Sequence, residues 1–565
     1  MAFPKLSLTI WTPILSLIIY VLCIGYQKRL RIYRLRKQGV AMPEGWSWIF
    51  GHLLVLDKKL KKLPSDANVF LAMGDMVDEH SDTAYYLMDL WPMFQPVLMT
   101  FSPELAAQVS NKHDLPKPHD QQDSFKPVTG GPSLITMNDA QWKIWRSLFN
   151  TGFSASHMLT LVPSLVDSVD VFCEQLQKHI GGGIFSLDDM AARLTMDIIT
   201  KTTLDIDLDH QRKEHELSHA LNKILDWHSF WDPRVLLHPL RRPVQWYYGR
   251  VMDLFIKEEL QKRFEEMKVE RAGDASKRAG KAKSVIALAL EDYLAQKSLD
   301  DKQEVYGNAK LEEGFARIAA NQIRMFIFAG NDSTAATLVY IYHLLSKNPE
   351  ALSKLRLEHD AVFGSDPINS GDILREDAAR INQCPYTLAV VKETLRLFPP
   401  SSSLRDGRAG ASLIDALGNV VPTEHLNVAT IHLYIHTHPR FWPKPLDFLP
   451  ERWTAAPDDD LYPKAVLSAY RPFEHGSRNC IAQTLVYNEL RVALIMTARR
   501  FDIKPAYEEW DAKRREREGY FTALMRKLGL KGEECRTVDG ERAYQTTRTG
   551  SHAADRYPCR VSLAH

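Results

Sequence analysis

The sequence predicts a mainly α-helical fold with small β-sheets, preceded by a single N-terminal transmembrane helix. Apolar residues recur at helical spacing over much of the 565-residue chain, whereas runs rich in β-prone residues are short. With 45% hydrophobic and 25% charged residues, the chain can bury a large core. An uncharged, largely apolar run stands at the N-terminus. We therefore expect one large domain after the transmembrane helix.

The N-terminal run covers residues 6–26, which is long enough to cross the hydrocarbon core of a bilayer. Several lysines and arginines follow it directly, and positive charge after a span places that side in the cytosol. A cleaved signal peptide is disfavoured, because tyrosine and basic residues, not small residues, end the run. We predict an anchor at 1–27, a basic and Pro/Gly hinge at 28–51, and a folded domain at 52–565.

Helical patterns dominate the folded domain. The segments with helical spacing are 140–149, 161–179, 188–204, 214–227, 250–270, 311–346, 349–363, 386–397 and 482–500. The β-prone stretches are 84–87, 97–100 and 427–432, with others near the C-terminus. Residues 271–283, rich in Gly, Ala and Lys, predict an exposed loop, and the highly charged residues 512–539 predict an insertion between terminal strands.

Charge and cysteine usage exclude several classes of protein. The net charge of +1 provides no overall basic field, so nucleic acid is disfavoured as the main partner. The six cysteines include no CxxC pair, which argues against a disulfide framework or a zinc ribbon. Such scattered cysteines suit a reducing compartment.

Cys480 lies in the most informative segment, residues 473–482, which read Phe-Glu-His-Gly-Ser-Arg-Asn-Cys-Ile-Ala. A thiolate on a tight loop that Gly476 permits can ligate a haem iron, while Arg478 reaches a haem propionate. A thiolate ligand favours cleavage of the O–O bond. The alternative is a buried free cysteine beside a surface arginine. The spacing F-x-x-G-x-R-x-C-x-[GA], which begins at Phe473, resembles the haem-ligand loop of the cytochrome P-450 family.

Residues 329–334, Ala-Gly-Asn-Asp-Ser-Thr, resemble the A-G-x-[DE]-[ST] motif of the same family's long central helix. The resemblance implies that the glycine lets the groove widen for oxygen and that an acid beside an alcohol passes protons to it. Asp332 is the acid. Ser333 holds the position at which the family usually has threonine, and Thr334 follows, so both remain candidates for the relay hydroxyl.

Further motifs follow the family's order along the chain. Glu393 and Arg396 form its E-x-x-R pair, and Arg452 lies in its P-E-R-[FW] segment; together they imply a structural triad. Trp142 and Arg146 match the W-x-x-x-R helix that binds a haem propionate.

A second propionate contact is expected after the proline pair at 399–400. Arg405 and Arg408 are both candidates there, and Arg405 is preferred.

The resemblance covers the chain from the anchor to the C-terminus, and it implies an α-rich cytochrome P-450 fold that holds haem b between the central helix and the Cys480 loop. It implies a monooxygenase that uses O2 and electrons from a separate NADPH-cytochrome reductase. The membrane-anchored type implies contact with membrane lipid at the endoplasmic reticulum, with the catalytic domain facing the cytosol. The tail at 540–545 and 557–560 is similar to fungal members that tailor secondary metabolites, including polyketides. A mid-sized apolar substrate is expected, with steroid, fatty-acid and xenobiotic oxidation open.

Two alternatives belong to other classes. His215, Glu216 and His219 fit the zinc-protease motif H-E-x-x-H, with His228 as a nearby third ligand. The longer form of that motif fails because Asn222 replaces its glycine, and the surrounding charges suit a solvated helix. The other alternative is a haem-thiolate protein that is not a monooxygenase. The acid–alcohol pair in the central helix argues against it, since a protein that never splits O2 needs no proton relay.

Overall fold

The computed structural model describes residues 3–229, 233–272, 283–300, 311–464, 466–517 and 536–564. It confirms a mainly helical fold with small sheets. Most of the predicted loop at 271–283 and of the predicted insertion at 512–539 lies outside the described residues.

The helices of the first half of the chain are α1 (Phe3–Lys37), α2 (Leu53–Leu60), α3 (Gly74–Glu79), α4 (Pro103–Ala107), α5 (His119–Thr129), α6 (Asp139–Asn150), α7 (Ala155–Thr160), α8 (Val162–His179), α9 (Leu187–Leu204), α10 (Glu216–Asp226), α11 (Pro233–Leu236) and α12 (Arg241–Ala272). Those of the second half are α13 (Val285–Asp300), α14 (Glu313–Lys347), α15 (Pro349–Phe363), α16 (Ser370–Glu376), α17 (Pro385–Leu397), α18 (His432–His436), α19 (Val466–Ala469), α20 (Gln483–Thr497) and α21 (Tyr507–Glu516). Short 3-10 helices lie at Val69–Met73, Pro367–Asn369, Ala378–Gln383, Pro450–Trp453, Thr549–Ser551 and Ala554–Arg556, and a π-helical turn at Gln108–Lys112.

The strands are β1 (Tyr85–Met88), β2 (Val97–Thr100), β3 (Phe185–Ser186), β4 (Ser403–Asp406), β5 (Ser412–Ile414), β6 (Val420–Pro422), β7 (Asn427–Thr430), β8 (Phe501–Pro505) and β9 (Pro558–Leu563). One sheet has the order β1-β2-β7-β4, in which β2 and β7 are parallel and pair Val97 with Asn427. A second has the order β3-β9-β8, and β5 with β6 forms a hairpin. The strands β1, β2 and β7 are buried along their whole length, so both faces of that sheet are covered.

Helix α14 is the centre of the larger core. It is apolar around most of its circumference and buried along nearly all of its 35 residues, as expected of a helix surrounded by others. It packs against α9, α5, α12, α17 and α20. A second core surrounds the four-stranded sheet. The site is assembled where α14 and the segments around the sheet approach each other.

The C-terminal turns of α1 dock on the sheet. Arg29 is buried, forms an ion pair with Asp89 and donates to the Trp91 carbonyl at 2.7 Å. Ile32 and Leu35 enter the core around the sheet. Searched over the described residues, the structure contains no helix whose length and apolar character suffice to cross a membrane. The division into anchor, hinge and domain stays a prediction.

Candidate functional site

The Cys480 loop is a tight turn before α20. The Cys480 amide donates to the Phe473 carbonyl at 2.8 Å, and the Phe473 ring packs edge-on against Tyr487 of α20. Gly476 has φ +83°, and a Cβ there would lie 2.5 Å from the Ser110 carbonyl oxygen. Only glycine combines this backbone conformation with such a close approach. The loop therefore holds the cysteine in one position.

Cys480 faces an internal space. The Cys480 side chain has exposed surface, yet the protein that surrounds it desolvates the thiol and raises its pKa. The Ala482 amide and the charge of Arg146 act in the opposite direction and favour the thiolate. The loop also leads into the N-terminus of α20, whose dipole favours a negative charge. A desolvated thiol in an accessible interior space, supported as an anion, fits the axial ligand of a haem iron.

Three cationic side chains converge beside this space: Lys117, Arg405 and Arg478. Burial, then the charges of Arg405 and Arg478, lower the pKa of Lys117 to about 7. Arg405 is fully buried, and within the described ranges its Nε has no hydrogen-bond partner. In the part of the chain that the structure describes, none of the three forms an ion pair with a carboxylate. Glu474, Asp114 and Asp139 act on them electrostatically but form no ion pair with them. Burying basic groups without such a partner is costly unless an anion joins them, and the two propionates of haem would meet this need.

Asn138 fixes two members of the cationic cluster. Its Oδ1 accepts from the Lys117 amide at 2.8 Å and from Arg478 Nη2 at 3.1 Å. Arg478 also donates to the Met137 carbonyl at 2.7 Å. Lys117 was not predicted from the sequence, because it lies in no recognisable motif and more than 280 positions from Arg405.

Helix α6 supplies the predicted Trp142 and Arg146. The Arg478 guanidinium stacks over the Trp142 ring, 4.5 Å from its centroid. Arg146 donates to the Asn479 carbonyl at 2.8 Å and to its side-chain oxygen at 2.9 Å. In this structure Arg146 thus binds the residue next to the cysteine.

The structure also separates the two candidates after the proline pair. Arg405 of β4 is buried, whereas Arg408 is exposed and donates to the His113 carbonyl at 2.8 Å. Arg405 is therefore the arginine that reaches the site.

The predicted triad of Glu393, Arg396 and Arg452 is brought together in the core. Glu393 Oε1 lies 2.8 Å from Arg396 Nη2 and 2.9 Å from Arg452 Nε, and all three side chains are fully buried. The Trp453 indole also donates to Glu393, at 3.0 Å. The remaining guanidinium hydrogens bind backbone carbonyls, which include that of Pro445 at 2.6 Å. The triad thus fixes the segment that precedes the cysteine loop.

The central motif of α14 turns one face to accessible space. Ala329, Gly330 and Ser333 are half-buried within a helix that is otherwise buried at this level. Ser333 Oγ donates to the Ala329 carbonyl at 2.9 Å. Thr334 is 1% exposed, and its hydroxyl has no hydrogen-bond partner among the residues that the structure describes. A Cβ on Gly330 would lie 2.7 Å from Ile199 Cδ1, so glycine lets α9 approach α14 closely.

Asp332 belongs to a hydrogen-bonded network with the C-terminal loop. Its Oδ1 lies 3.0 Å from His552 Nε2 and accepts from Thr549 Oγ1 at 3.3 Å. The other ring nitrogen of His552 binds Asp188, which also pairs with Arg548 at 2.9 Å. No local sequence pattern indicates this network, since Asp188 and His552 are more than 360 positions apart.

The residues of the zinc alternative are not arranged as ligands. His215 Nδ1 accepts from the Leu217 amide at 3.1 Å and so caps α10. His219 is exposed and pairs with Glu214 at 3.2 Å, while His228 binds the Ser124 carbonyl at 3.1 Å. Over the described ranges, no group of three or more His, Cys, Asp or Glu residues is placed to hold a metal ion. The structure gives this alternative no support.

Comparison with known proteins agrees with this geometry. The family model "Cytochrome P450" matches residues 42–528. The chain is 37% identical over 547 residues to Cytochrome P450 monooxygenase polC of Polytolypa hystricis, covering 95% of this chain and 92% of polC. It is 36% identical over 445 residues to Cytochrome P450 monooxygenase acrF of Aspergillus aculeatus, covering 75% and 85% of the two chains. A solved structure, the cytochrome P450DA heme domain, superposes with a TM-score of 0.64 at 16% identity over 93% of this chain and 98% of the other, which shows a shared fold.

Proposed function

As a member of the cytochrome P450 family, this chain is a haem-dependent monooxygenase, and we propose that it inserts one oxygen atom from O2 into a mid-sized apolar fungal secondary metabolite. The family implies haem with a cysteine thiolate ligand, a reductase as electron donor and an organic substrate. We assign the thiolate to Cys480. The observation that carries this assignment is its desolvated but accessible thiol, near three basic side chains that form no ion pair among the described residues.

Each residue of the site has a separate task. Bound haem supplies the redox chemistry that activates O2 with two electrons from an NADPH-cytochrome reductase. When haem is bound, Cys480 would ligate its iron, and Lys117, Arg405 and Arg478 would hold its propionates. Ser333 carries a proton on its hydroxyl. Once that proton has been transferred, Asp332 supplies the next one.

The substrate proposal rests on two observations. Two relatives, 37% and 36% identical to this chain, are monooxygenases of fungi. Phe328 directly precedes Ala329 of the α14 motif; its ring lies 6.1 Å from that of Phe125, and the ring of His228 lies 6.0 Å from Phe125. Aromatic side chains of this kind bind apolar molecules, and His228 adds a polar group.

The ligand assignment is tested with Cys480→Ala. The reduced, carbon monoxide-bound wild type should show the long-wavelength absorption band of thiolate-ligated haem, and the variant should lose it together with activity. Cys23→Ala, which removes an exposed cysteine of α1, is the control and should keep the band. A folded wild type without that band would show that Cys480 is not the ligand.

The substrate class is tested by screening polyketides and other secondary metabolites for a shift of the haem absorption band. A compound that shifts the band should be converted, with NADPH and a reductase, to a product that carries one labelled atom from isotopically labelled O2. Conversion without the label would favour a haem-thiolate enzyme that is not a monooxygenase.

We also propose an endoplasmic reticulum location with the catalytic domain in the cytosol. The apolar run at 6–26 and the basic residues after it support this. Among the exposed large apolar side chains, two groups lie close in sequence, near the hinge and near α11, as expected where protein contacts lipid: Tyr26, Trp48, Ile49, Phe50, Leu54, Leu237, Leu240, Trp246 and Tyr247.

Deletion of residues 1–26 tests the location. The truncated protein should lose much of its attachment to sedimented membranes and keep its haem spectrum, because Arg29 and the core contacts after it remain. Unchanged resistance to alkaline carbonate extraction after the deletion would show that the run is not the anchor.

A further inference from the structure

His552 lies between two buried carboxylates. Its Nε2 lies 3.0 Å from Asp332 Oδ1 and its Nδ1 binds Asp188 Oδ1. The side chains of Asp188, His552 and Asp332 are 1%, 3% and 8% exposed. Both ring nitrogens therefore face acceptors, an arrangement that only the doubly protonated imidazolium satisfies fully.

The loop that carries His552 is fitted to the Asp332 carboxylate. Gly550 has φ +73°, and a Cβ there would lie 2.6 Å from Asp332 Oδ2. The Thr546 amide and hydroxyl donate to the His552 carbonyl at 2.9 and 2.8 Å and close the loop. The backbone thus holds the imidazole against the acid of α14.

We propose that His552 stores the proton that Asp332 passes to the relay hydroxyl, and that Asp188 holds His552 in position for this task. This inference rests on the proposed role of Asp332 in the relay. In the step, the Nε2–H bond breaks and an O–H bond forms on Asp332. The remaining Nδ1–H stays bound to Asp188. As the Ser333 oxygen gives up its own hydrogen, it can take the proton of the Asp332 carboxyl, which returns to the carboxylate, and Nε2 regains a proton from solvent in the next turnover.

The charges around His552 support proton storage at neutral pH. Burial alone lowers the pKa of the ring, but Asp188 of α9 and Asp332 of α14 outweigh it and raise the pKa to about 9. Arg548, on the same loop, and Arg556, just after it, act on the ring through Asp188. Tyr340 of α14 stays neutral, because burial and then Asp188 raise its pKa. On the far side of Asp332, burial lowers the pKa of His228 to about 4.

The protonation state is measured first, by NMR of histidine-labelled, full-length enzyme with reduced, carbon monoxide-bound haem. The signal that disappears in His552→Gln should titrate near pH 9 in the wild type. Asp188→Asn removes one opposite charge and should lower that midpoint by about one pH unit or more. Asp188→Glu, which keeps the charge, should bring the midpoint most of the way back to the wild-type value. A wild-type midpoint at or below the ordinary histidine pKa would overturn the proposal.

The proton supply is measured next, as peroxide released per NADPH consumed with the compound found by the spectral screen. His552→Gln should raise this ratio about tenfold or more. Peroxide release per NADPH should rise at alkaline pH in the wild type. In Asp188→Asn this rise should begin at a lower pH, by the same shift as the NMR midpoint. His219→Gln, a change at an exposed histidine of α10, is the control and should leave the ratio and its pH profile unchanged.

The outcomes separate this inference from the proposed function. Asp332→Asn tests the relay itself: if it does not raise peroxide release, the relay role of Asp332 is wrong. If Asp332→Asn uncouples and His552→Gln does not, the relay stands and His552 is only a structural partner. An unshifted pH profile in Asp188→Asn would likewise reject proton storage, and it does not depend on the folding of the His552 variant.

Discussion

At the scale of single residues, Ser333 and Thr334 lie on different faces of α14. Ser333 lies on the half-buried face of α14 with Ala329 and Gly330, whereas Thr334 is buried. Successive residues of a helix are rotated by about 100°, so only one of two neighbours can face the site. The accessible face of α14 favours Ser333 as the relay hydroxyl.

Ser333→Ala should therefore uncouple the reaction, so that electrons reach oxygen but yield peroxide in place of product. Ser333→Thr should be tolerated, and Thr334→Ala should matter less. Product formed per NADPH consumed, measured for all three variants with a reductase, checks this. If Thr334→Ala uncouples and Ser333→Ala does not, the roles of the two hydroxyls must be exchanged.

Lys117 offers a second prediction at this scale, since it titrates near neutrality in the haem-free chain. Its pKa of about 7 lies far below that of an ordinary lysine, so above pH 7 the side chain is neutral unless an anion binds. Binding a propionate then requires uptake of a proton. Haem affinity should fall as pH rises above 7.

In Lys117→Met, haem should dissociate about tenfold to a hundredfold faster at pH 7, because a hydrogen bond between charged groups is lost. The variant should also lose the decline of affinity above pH 7. Haem transfer to an acceptor protein, followed by absorbance between pH 6 and 9, measures both effects, and Lys112→Met, at an exposed lysine of the π-helical turn, is the control. Equal rates of haem transfer from wild type and variant would show that Lys117 does not contribute to haem binding.

At the scale of secondary structure, Glu393 connects α17 to the 3-10 helix at Pro450–Trp453. Its carboxylate compensates two fully buried guanidiniums, so removing its charge leaves two cations unpaired in the core. Breaking such a buried pair is strongly destabilising.

Glu393→Gln should lower the free energy of unfolding by about 3–5 kcal/mol and reduce haem content. Denaturant unfolding, followed through the haem spectrum, measures it. Lys354→Met, which removes an exposed ion pair to Glu451, should change stability by less than about 1 kcal/mol. If Glu393→Gln lowered the free energy of unfolding by no more than Lys354→Met does, this role of Glu393 would be contradicted.

The elements that were predicted from sequence are those with long, regular apolar patterns. The expectation of a helix at 311–346 matches α14 closely because its apolar residues run without interruption. Helix α5 was missed, since it opens on polar residues and contains Pro127. The expected strand 427–432 is wrong at its end: β7 stops at Thr430, and α18 begins at His432. A β-branched run does not show where the chain must turn.

For the site, motif spacing predicted Cys480, its arginine and the acid of α14, because these lie in local sequence patterns. It did not identify Lys117, Asp188 or His552. Their roles arise from contacts between segments hundreds of positions apart, which local patterns do not encode. Only the packing of α9, α14 and the C-terminal loop brings Asp188 and His552 to Asp332.

At the scale of the whole molecule, the same histidine links the C-terminal loop to the core by charge. The pKa of His552 is about 9 in the folded chain, against about 6.5 for an ordinary histidine, so the imidazolium stabilises the fold. This contribution is fully present below pH 6.5 and declines as pH rises through 9. A shift of this size corresponds to about 3 kcal/mol.

His552→Gln should therefore lower Tm most near pH 6, and the difference from wild type should shrink steadily and vanish by about pH 10. At about pH 10 and above, nearly all of the wild-type chains also carry a neutral side chain between Asp188 and Asp332, so little electrostatic difference remains. Scanning calorimetry of the haem-loaded enzymes across this range measures the difference, with His219→Gln as the exposed control. A difference in Tm that is constant with pH would mean that the ring stabilises the loop by packing and not by its charge.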